Sequence, residues 1–256
     1  MSVSLSWTGK SVWILGASSG LGEALARELA ARGARLALSA RSAEALKALA
    51  AGLLGSGHRA LPLDVVDPEA LADTVARLQS DWGGVDAVVL AAAIQSPRRV
   101  FALDLEAARQ TVRVNVEGAL NCLAAIVPPM LAAGRGHIAV IAGVAGYRGL
   151  PQAAADGASK AALINLTETL RLDLADRGIK VQLINPGLGR TGPAAKPGFR
   201  LPAPMEPARA ARCIADGMES ERFEIHFPQR LTWLLKLLRL LPYPLYFPLV
   251  RRAIGR

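Results

Sequence analysis

Short apolar runs alternate with longer segments of helical spacing through most of this chain, and that alternation leaves few folds open. The runs are SVWILGA, ARLALSA, HRALPLD, VDAVVLAAA, GHIAVIAG and IKVQLINPG. None keeps a wet face at every second position, so each reads as a strand buried on both sides. Between them, residues 22–32, 42–54, 68–80, 105–133 and 153–176 place apolar side chains at the helical period. Strands spaced by helices imply repeated strand–helix–strand units, and hence a parallel sheet covered on both faces. A further helix over Pro207–Glu219 and a short strand over Phe223–Phe227 complete the pattern. No linker, repeat or low-complexity segment divides residues 1–228, which are expected to form one α/β domain followed by an extension over 229–256.

The first strand runs into GASSGLG, with Gly16, Gly20 and Gly22 separated by Ala17, Ser18, Ser19 and Leu21. Glycines at a strand–helix turn let backbone approach a pyrophosphate, and the helix start offers amide N–H groups and a positive dipole end. An ordinary glycine-rich turn would look the same in isolation. Here it follows the first strand and opens the first helix, which is the context a dinucleotide turn requires. The second strand ends in LALSARS, where a dinucleotide's adenosine ribose lands. Arg41 stands there, flanked by Ser39 and Ser42. A carboxylate at that place would bind a 2′-hydroxyl, whereas a guanidinium suits a 2′-phosphate, so NADP(H) is expected over NAD(H).

From residue 8 to about 228 the chain resembles the short-chain dehydrogenase/reductase family, a Rossmann-type, doubly wound fold. GASSGLG looks like that family's cofactor turn, with Leu15 where Thr is usual. LDVVD supplies Asp64 and Val65, which the resemblance places at the adenine. RVNVEG supplies Asn115, the family's active-site asparagine, and ASKAAL supplies Lys160. INPG with Thr191 looks like the loop on the nicotinamide side, so Asn185, Pro186, Gly187 and Thr191 are candidates for cofactor contact. The family's Asn-Asn-Ala-Gly reads Ala91-Ala92-Ala93-Ile94, its catalytic serine falls on Gly143, and its catalytic tyrosine falls on Asp156. The expected site is therefore Asn115, Lys160, Asp156 at the Tyr position and Gly143 at the Ser position. The expected cofactor contacts are Gly16, Ser18, Ser19, Gly20, Leu21, Gly22, Arg41, Asp64, Val65, Ala91, Ala92, Asn115, Lys160, Pro186, Gly187 and Thr191.

Hydride transfer to a carbonyl needs a proton for the developing alkoxide, and the family takes it from the tyrosine. Asp156 is shorter than a phenol, so a water would have to bridge it to the same oxygen. A cation at Lys160 favours its ionised form, which would make it a base for alcohol oxidation or non-redox proton abstraction and a poor acid for ketone reduction. Asp156 also suits a helix N-cap with Lys160 one turn along. Tyr147 reads as a displaced hydroxyl donor or, by its place in the loop after Gly143, as a wall of the substrate cleft pointing outward. Three functions follow: an oxidoreductase for a lipophilic carbonyl or alcohol with a degenerate proton relay; a redox-inactive pseudoenzyme that binds nucleotide and serves as a membrane-associated or heterodimer partner; and, ranked last, a non-redox enzyme using Asp156 as base.

The chain carries a net charge of +9 over 256 residues. Residues 229–256 hold Arg230, Lys236, Arg239, Arg251, Arg252 and Arg256 with no acid, so the tail accounts for +6 of it. The tail is also leucine-rich. On a helical wheel Thr232, Lys236 and Arg239 share a narrow stripe and leucines with Trp233 cover the rest, until Pro242, Pro244 and Pro248 interrupt. That pattern suits a helix lying in a membrane interface, and equally one packed on another subunit or over the cleft. Its apolar stretch falls short of the roughly 20 residues that span a bilayer. No zinc spacing or RNA-binding signature points to metal or nucleic acid. His58, His137 and His226 are expected to be structural. Cys122 and Cys213 form no framework and no signal peptide is visible, so a cytoplasmic protein is expected, with the tail at the inner face of a membrane. Small faces at Ala124, Ala125, Ala161 and Ala162 and the family's helix-bundle interface lead to an expected homodimer or homotetramer.

Overall fold

The computed structural model describes residues 7–187 and 205–254, the last two without their side chains. Strands β1 (Ser11–Leu15), β2 (Arg35–Ser39), β3 (Arg59–Ala60), β4 (Ala87–Leu90), β5 (Gly136–Ile141), β6 (Ile179–Pro186) and β7 (Glu224–Phe227) form one sheet in the order 3-2-1-4-5-6-7. Every pairing is parallel, so all the carboxyl ends share one edge. The order reverses between β1 and β4, which opens a crevice at that edge.

Helices cover both faces. Val12 and Ile14 of β1 point into a core with Leu25 and Leu29 of α1 (Gly20–Ala31), Leu46 of α2 (Ala43–Ala51) and Ile214 of α7 (Pro207–Glu219). Trp13 and Leu15 point the other way, toward Leu71 of α3 (Pro68–Trp82), Val114, Ile126 and Leu163. Both faces being buried is why the strands read as continuous apolar runs. Only Arg59–Ala60 of HRALPLD is strand, because Pro62 has no N–H to donate, although Leu61 N and Leu63 N still bond to Leu38 O and Ala40 O.

The long segment 105–133 is not one regular helix. It comprises α4 (Leu105–Val112), a π-helical turn over Arg113–Glu117, and α5 (Gly118–Ala133). It is long and apolar enough to cross a membrane, yet its Val114, Asn115, Cys122 and Ile126 are buried against the sheet. α6 (Ala154–Asp173) packs beside it.

The extension also departs from expectation. It forms two helices, α8 (Gln229–Leu240) and α9 (Tyr243–Ile254), and Pro248 lies inside the second. A proline at a helix start costs little, which accounts for Pro244, whereas Pro248 removes one interior hydrogen bond.

One buried side chain sets where β7 lies. Gln182 of β6 donates from Nε2 to Gly217 O, Ser220 O and Arg222 O at 3.1, 2.9 and 2.7 Å, and its Oε1 meets His137 Nε2 at 2.8 Å. It thereby ties the end of α7 and the turn into β7 to the sheet. Gln182→Leu should lower the urea-unfolding free energy by about 2–3 kcal/mol, because buried carbonyls lose their donor. An unchanged midpoint would contradict this role.

Candidate active site

The glycine turn is built by close approach. Gly16 sits at φ +91, and a Cβ there would lie 2.5 Å from Ala92 N. A Cβ on Gly22 would lie 2.1 Å from Gly16 O, so α1 can start only against a bare backbone. Gly16 N and Ala17 N both donate to Ser39 O, which closes the turn on β2. Gly20, at φ +59, faces open space: a Cβ would meet nothing within 4 Å. Ser19 is the N-cap of α1, yet its side chain makes no capping bond, so the helix's first amides and this hydroxyl remain for a ligand. Ser18 and Leu21 are partly exposed beside it.

The other expected cofactor contacts line the same edge. Arg41 is exposed just past β2. Asp64 Oδ1 accepts from Val66 N at 3.2 Å, and buried Val65 lies under Gly118, where a Cβ would come within 2.6 Å of it. Ala91 and Ala92 follow β4, and Pro186 and Gly187 close β6, with Gly187 N donating to Phe227 O. Thr191 lies outside the described residues. An anion-binding turn, a cation at the tip of β2 and a backbone approach at Ala92 together fit a phosphorylated dinucleotide.

Asn115 stands in the π-helical turn and uses its amide as a clamp. Its Oδ1 accepts from Ile94 N at 2.8 Å, and its Nδ2 donates to Ile94 O at 3.1 Å and to Ser159 Oγ at 2.9 Å. Ser159 Oγ then donates to Asp156 O at 2.8 Å, which joins the loop after β4 to the first turns of α6. Ser159 lay inside the ASKAAL match but had no assigned part there, since only its spatial partner reveals one.

Asp156 does not cap its helix. The N-cap is Ala153, and Asp156 sits in the first turn with Oδ1 buried and without a hydrogen-bond partner among the described residues. Burial raises its pKa, and Lys160 only partly opposes that. The expectation that the cation would dominate is thus reversed: this carboxyl is held toward its neutral form. Lys160 is itself buried, and loss of water pushes its pKa down. Gly146 permits this crowding, because a Cβ there would lie 2.6 Å from Lys160 C. Gly143 has φ +143, a conformation side chains rarely adopt, and its N–H donates to Asn185 Oδ1 at 3.0 Å.

Tyr147 is turned inward rather than along the cleft. It is 7% exposed, and its hydroxyl donates to Glu224 Oε1 at 2.5 Å. Burial and that carboxylate push its pKa up, so the phenol stays protonated. Glu224 also accepts from Asn185 Nδ2 at 2.7 Å and pairs with Lys236 of α8 at 2.5 Å. Arg148 donates to Leu238 O, Arg239 O and Leu241 O and lies over the rings of Tyr243 and Tyr246, while Tyr246 donates to Gly149 O. The loop after Gly143 is therefore fastened to both tail helices. The joint part of Glu224, Arg148 and Lys236 left no sequence signal, since their partners lie far along the chain; Lys236 was visible only as a cation on the tail's polar stripe. The histidines are structural: His58 accepts from Leu36 N, His137 meets Gln182, and His226 meets Thr232.

Comparison with known proteins places these features in company. The family model for short chain dehydrogenase matches residues 10–197. An uncharacterized oxidoreductase of Myxococcus xanthus is 35% identical over 241 residues, covering 93% of this chain and 95% of that protein. A short chain dehydrogenase from Burkholderia cenocepacia, solved in complex with NADP, is similar in fold at a TM-score of 0.82 and 24% identity, covering 98% of this chain and 100% of that one. A gluconate 5-dehydrogenase from the same organism, in complex with NADP and tartrate, is 28% identical at a TM-score of 0.66, covering 72% and 73%.

The Glu224 cluster carries a pH signature. Its pKa is lowered: burial pushes it up, but Lys236, Tyr147 and Asn185 together outweigh burial by favouring the ionised form. The stability it contributes is therefore complete above the ordinary carboxylate range and lost as pH falls through its depressed value. Glu224→Gln should cost about 2 kcal/mol near neutral pH, and the gap to wild type in thermal unfolding should close on acidification. A gap independent of pH would refute the ionised network.

Proposed function

The chain belongs to the short-chain dehydrogenase family, and from that premise we propose that it is an NADP(H)-dependent oxidoreductase interconverting a lipophilic carbonyl compound and its alcohol through a degenerate proton relay in which Asp156 replaces the phenol. The observation that carries the relay is the buried Oδ1 of Asp156, unpartnered among the described residues and released from capping duty, beside buried Lys160. A carboxyl kept neutral by burial can donate a proton near neutral pH, as an exposed aspartate cannot.

The nicotinamide supplies or accepts the hydride when bound. The Gly16–Gly22 turn holds the pyrophosphate through amides at the start of α1, and Arg41 holds the 2′-phosphate. Lys160 carries the cation that the family places at the ribose. Asn115 keeps the loop after β4 and the first turns of α6 in fixed relation, so the acid cannot drift from the cleft. In reduction the proton on Asp156 passes to the substrate oxygen, with a water spanning the distance a phenol would cover. In oxidation it returns to the carboxylate. Gly143 offers no hydroxyl, so the substrate oxygen relies on this one acid. The apolar helices fastened beside the loop support a lipophilic substrate, and the exposed small faces at Ala124, Ala161 and Ala162 support the expected homodimer or homotetramer.

Asp156→Asn should lower turnover of NADPH with hydrophobic ketones and aldehydes by about 10²–10⁴-fold, the worth of general acid catalysis, while leaving NADPH affinity intact. The wild-type reduction rate should fall as pH rises through the raised Asp156 pKa, because the acid is lost. Wild-type activity in Asp156→Asn would overturn the assignment. Asp156→Tyr is the cleaner gain-of-function partner, since Gly143→Ser would be strained at φ +143.

Arg41→Ala should weaken NADPH binding about 10–100-fold, the worth of a charge-assisted pair, and leave NADH unchanged in fluorescence titrations. Equal loss for both nucleotides would remove the 2′-phosphate role.

A further inference from the structure

The two tail helices sit inside out. On α8 two of the three polar-stripe residues face the body: Thr232 is fully buried and meets His226 Nδ1 at 2.6 Å, and Lys236 pairs with Glu224, while Arg239 is exposed. Leu231 is buried and Leu235 packs on the core, but four other apolar residues face solvent, with Trp233, Leu234, Leu237 and Leu240 exposed by 56, 53, 62 and 79%. Beyond the corner, Tyr243, Leu245, Phe247 and Leu249 of α9 are exposed by about half or more. A soluble helix normally turns its leucines inward and its cations outward, and a contiguous apolar surface of this kind marks an interaction site.

The attachment is firm. Four separate contacts hold the pair in place: Thr232 to His226, Lys236 to Glu224, the Arg148 guanidinium across the carbonyls that end α8, and the Tyr246 hydroxyl on Gly149 O. Trp233 meets the His226 ring edge-on at 5.5 Å and the Lys236 ammonium at 5.1 Å, which fixes one side of the indole and leaves the other outside.

Charge identifies the occupant. Arg230 precedes Trp233, Leu234 and Leu237 by three, four and seven positions, so it rises from the same helical face. Arg239, Arg251 and Arg252 are exposed on the two helices, and among the described residues no ion pair takes up any of these arginines. Residues 229–256 contain no Asp or Glu. A second copy would bring the same unneutralised positive charge against itself, whereas an anionic lipid surface accepts leucines, aromatic rings and arginines together. We propose that α8 and α9 form a membrane-docking surface, lying flat on an anionic bilayer with Trp233, Leu234, Leu237 and Leu240 in the headgroup–acyl boundary. Docking in this pose turns the loop Tyr147–Gly149, and with it the carboxyl edge of the sheet, toward the lipid. The proposal rests on the tail alone and survives whether or not Asp156 proves catalytic.

The test is sedimentation of the full-length protein with vesicles of phosphatidylcholine alone or mixed with phosphatidylglycerol. Binding is expected to the mixed vesicles and to fall steeply with salt. Arg230→Gln/Arg251→Gln/Arg252→Gln should weaken it roughly a hundredfold, and Leu234→Gln/Leu237→Gln should abolish it, with thermal unfolding unchanged in both because the replaced side chains are exposed. Brominated lipid should quench tryptophan emission strongly in wild type and far less in Trp233→Phe, as Trp7 and Trp13 are buried and Trp82 is partly covered at the end of α3, under the Arg35 guanidinium. Equal binding to neutral vesicles, no quenching difference, or no vesicle binding together with a drop in solution mass on Leu234→Gln/Leu237→Gln would overturn the proposal, the last by assigning the face to a second copy of the chain.

Discussion

The contact on which the rest of the site depends is the meeting of two bare backbones, Gly16 at the end of β1 and Ala91–Ala92 at the end of β4. A single methyl group at Gly16 would lie 2.5 Å from Ala92 N and force the two strand ends apart. With that approach made, and with Gly22 equally bare against Gly16 O, α1 can start at the carboxyl edge of the sheet and aim its amides outward. The crevice between β1 and β4 follows, and so does the reach of Asn115 to Ile94, two residues beyond Ala92. The glycine turn and the Asn115 clamp are consequences of one steric allowance.

Around that crevice the electrostatics are set by burial more than by charge pairing. Asp156 and Lys160 are both taken out of water, and in each the loss of solvation outweighs the attraction to the other. Burial thus shifts the Asp156 carboxyl up and the Lys160 ammonium down, the reverse of what mutual attraction does in a surface pair at the same spacing. For the proposed relay this matters, because burial moves the Asp156 carboxyl toward its protonated form despite the cation four residues along. Glu224, only a few residues from the tail, is the opposite case. It gathers three donors, stays ionised, and spends its charge on structure.

Much of the fold was legible because the strands are buried on both faces and their apolar runs are unbroken, and because Pro207 and the acid-poor spacing after it bound α7 at Pro207–Glu219 as read from sequence. The cofactor turn was legible for a different reason, since glycine there answers a steric demand that no other residue meets. Other features were hidden. The π-helical turn at Arg113–Glu117 leaves no trace in a helical period, though it is what seats Asn115. The upward direction of the Asp156 shift was not foreseen, because Lys160 is visible four residues away and burial is not. Tyr147, Asn185, Glu224 and Lys236 form one cluster across 90 positions of sequence, so no local pattern could assemble it. The tail's composition announced an amphipathic helix and its orientation was invisible: only the partners waiting on β7, Glu224 and His226, draw Lys236 and Thr232 inward and leave Trp233, Leu234, Leu237 and Leu240 outside.

Asp156 is proposed to keep its proton above the range of an ordinary aspartate, at the carboxyl edge that the glycine turn opens. Infrared difference spectra of the NADPH-loaded protein, wild type against Asp156→Asn, report that proton directly as a function of pH. A protonated-carboxyl band that belongs to Asp156 and disappears only above the usual aspartate range is expected. A band already gone at the ordinary aspartate value, or absent at every pH, would contradict it.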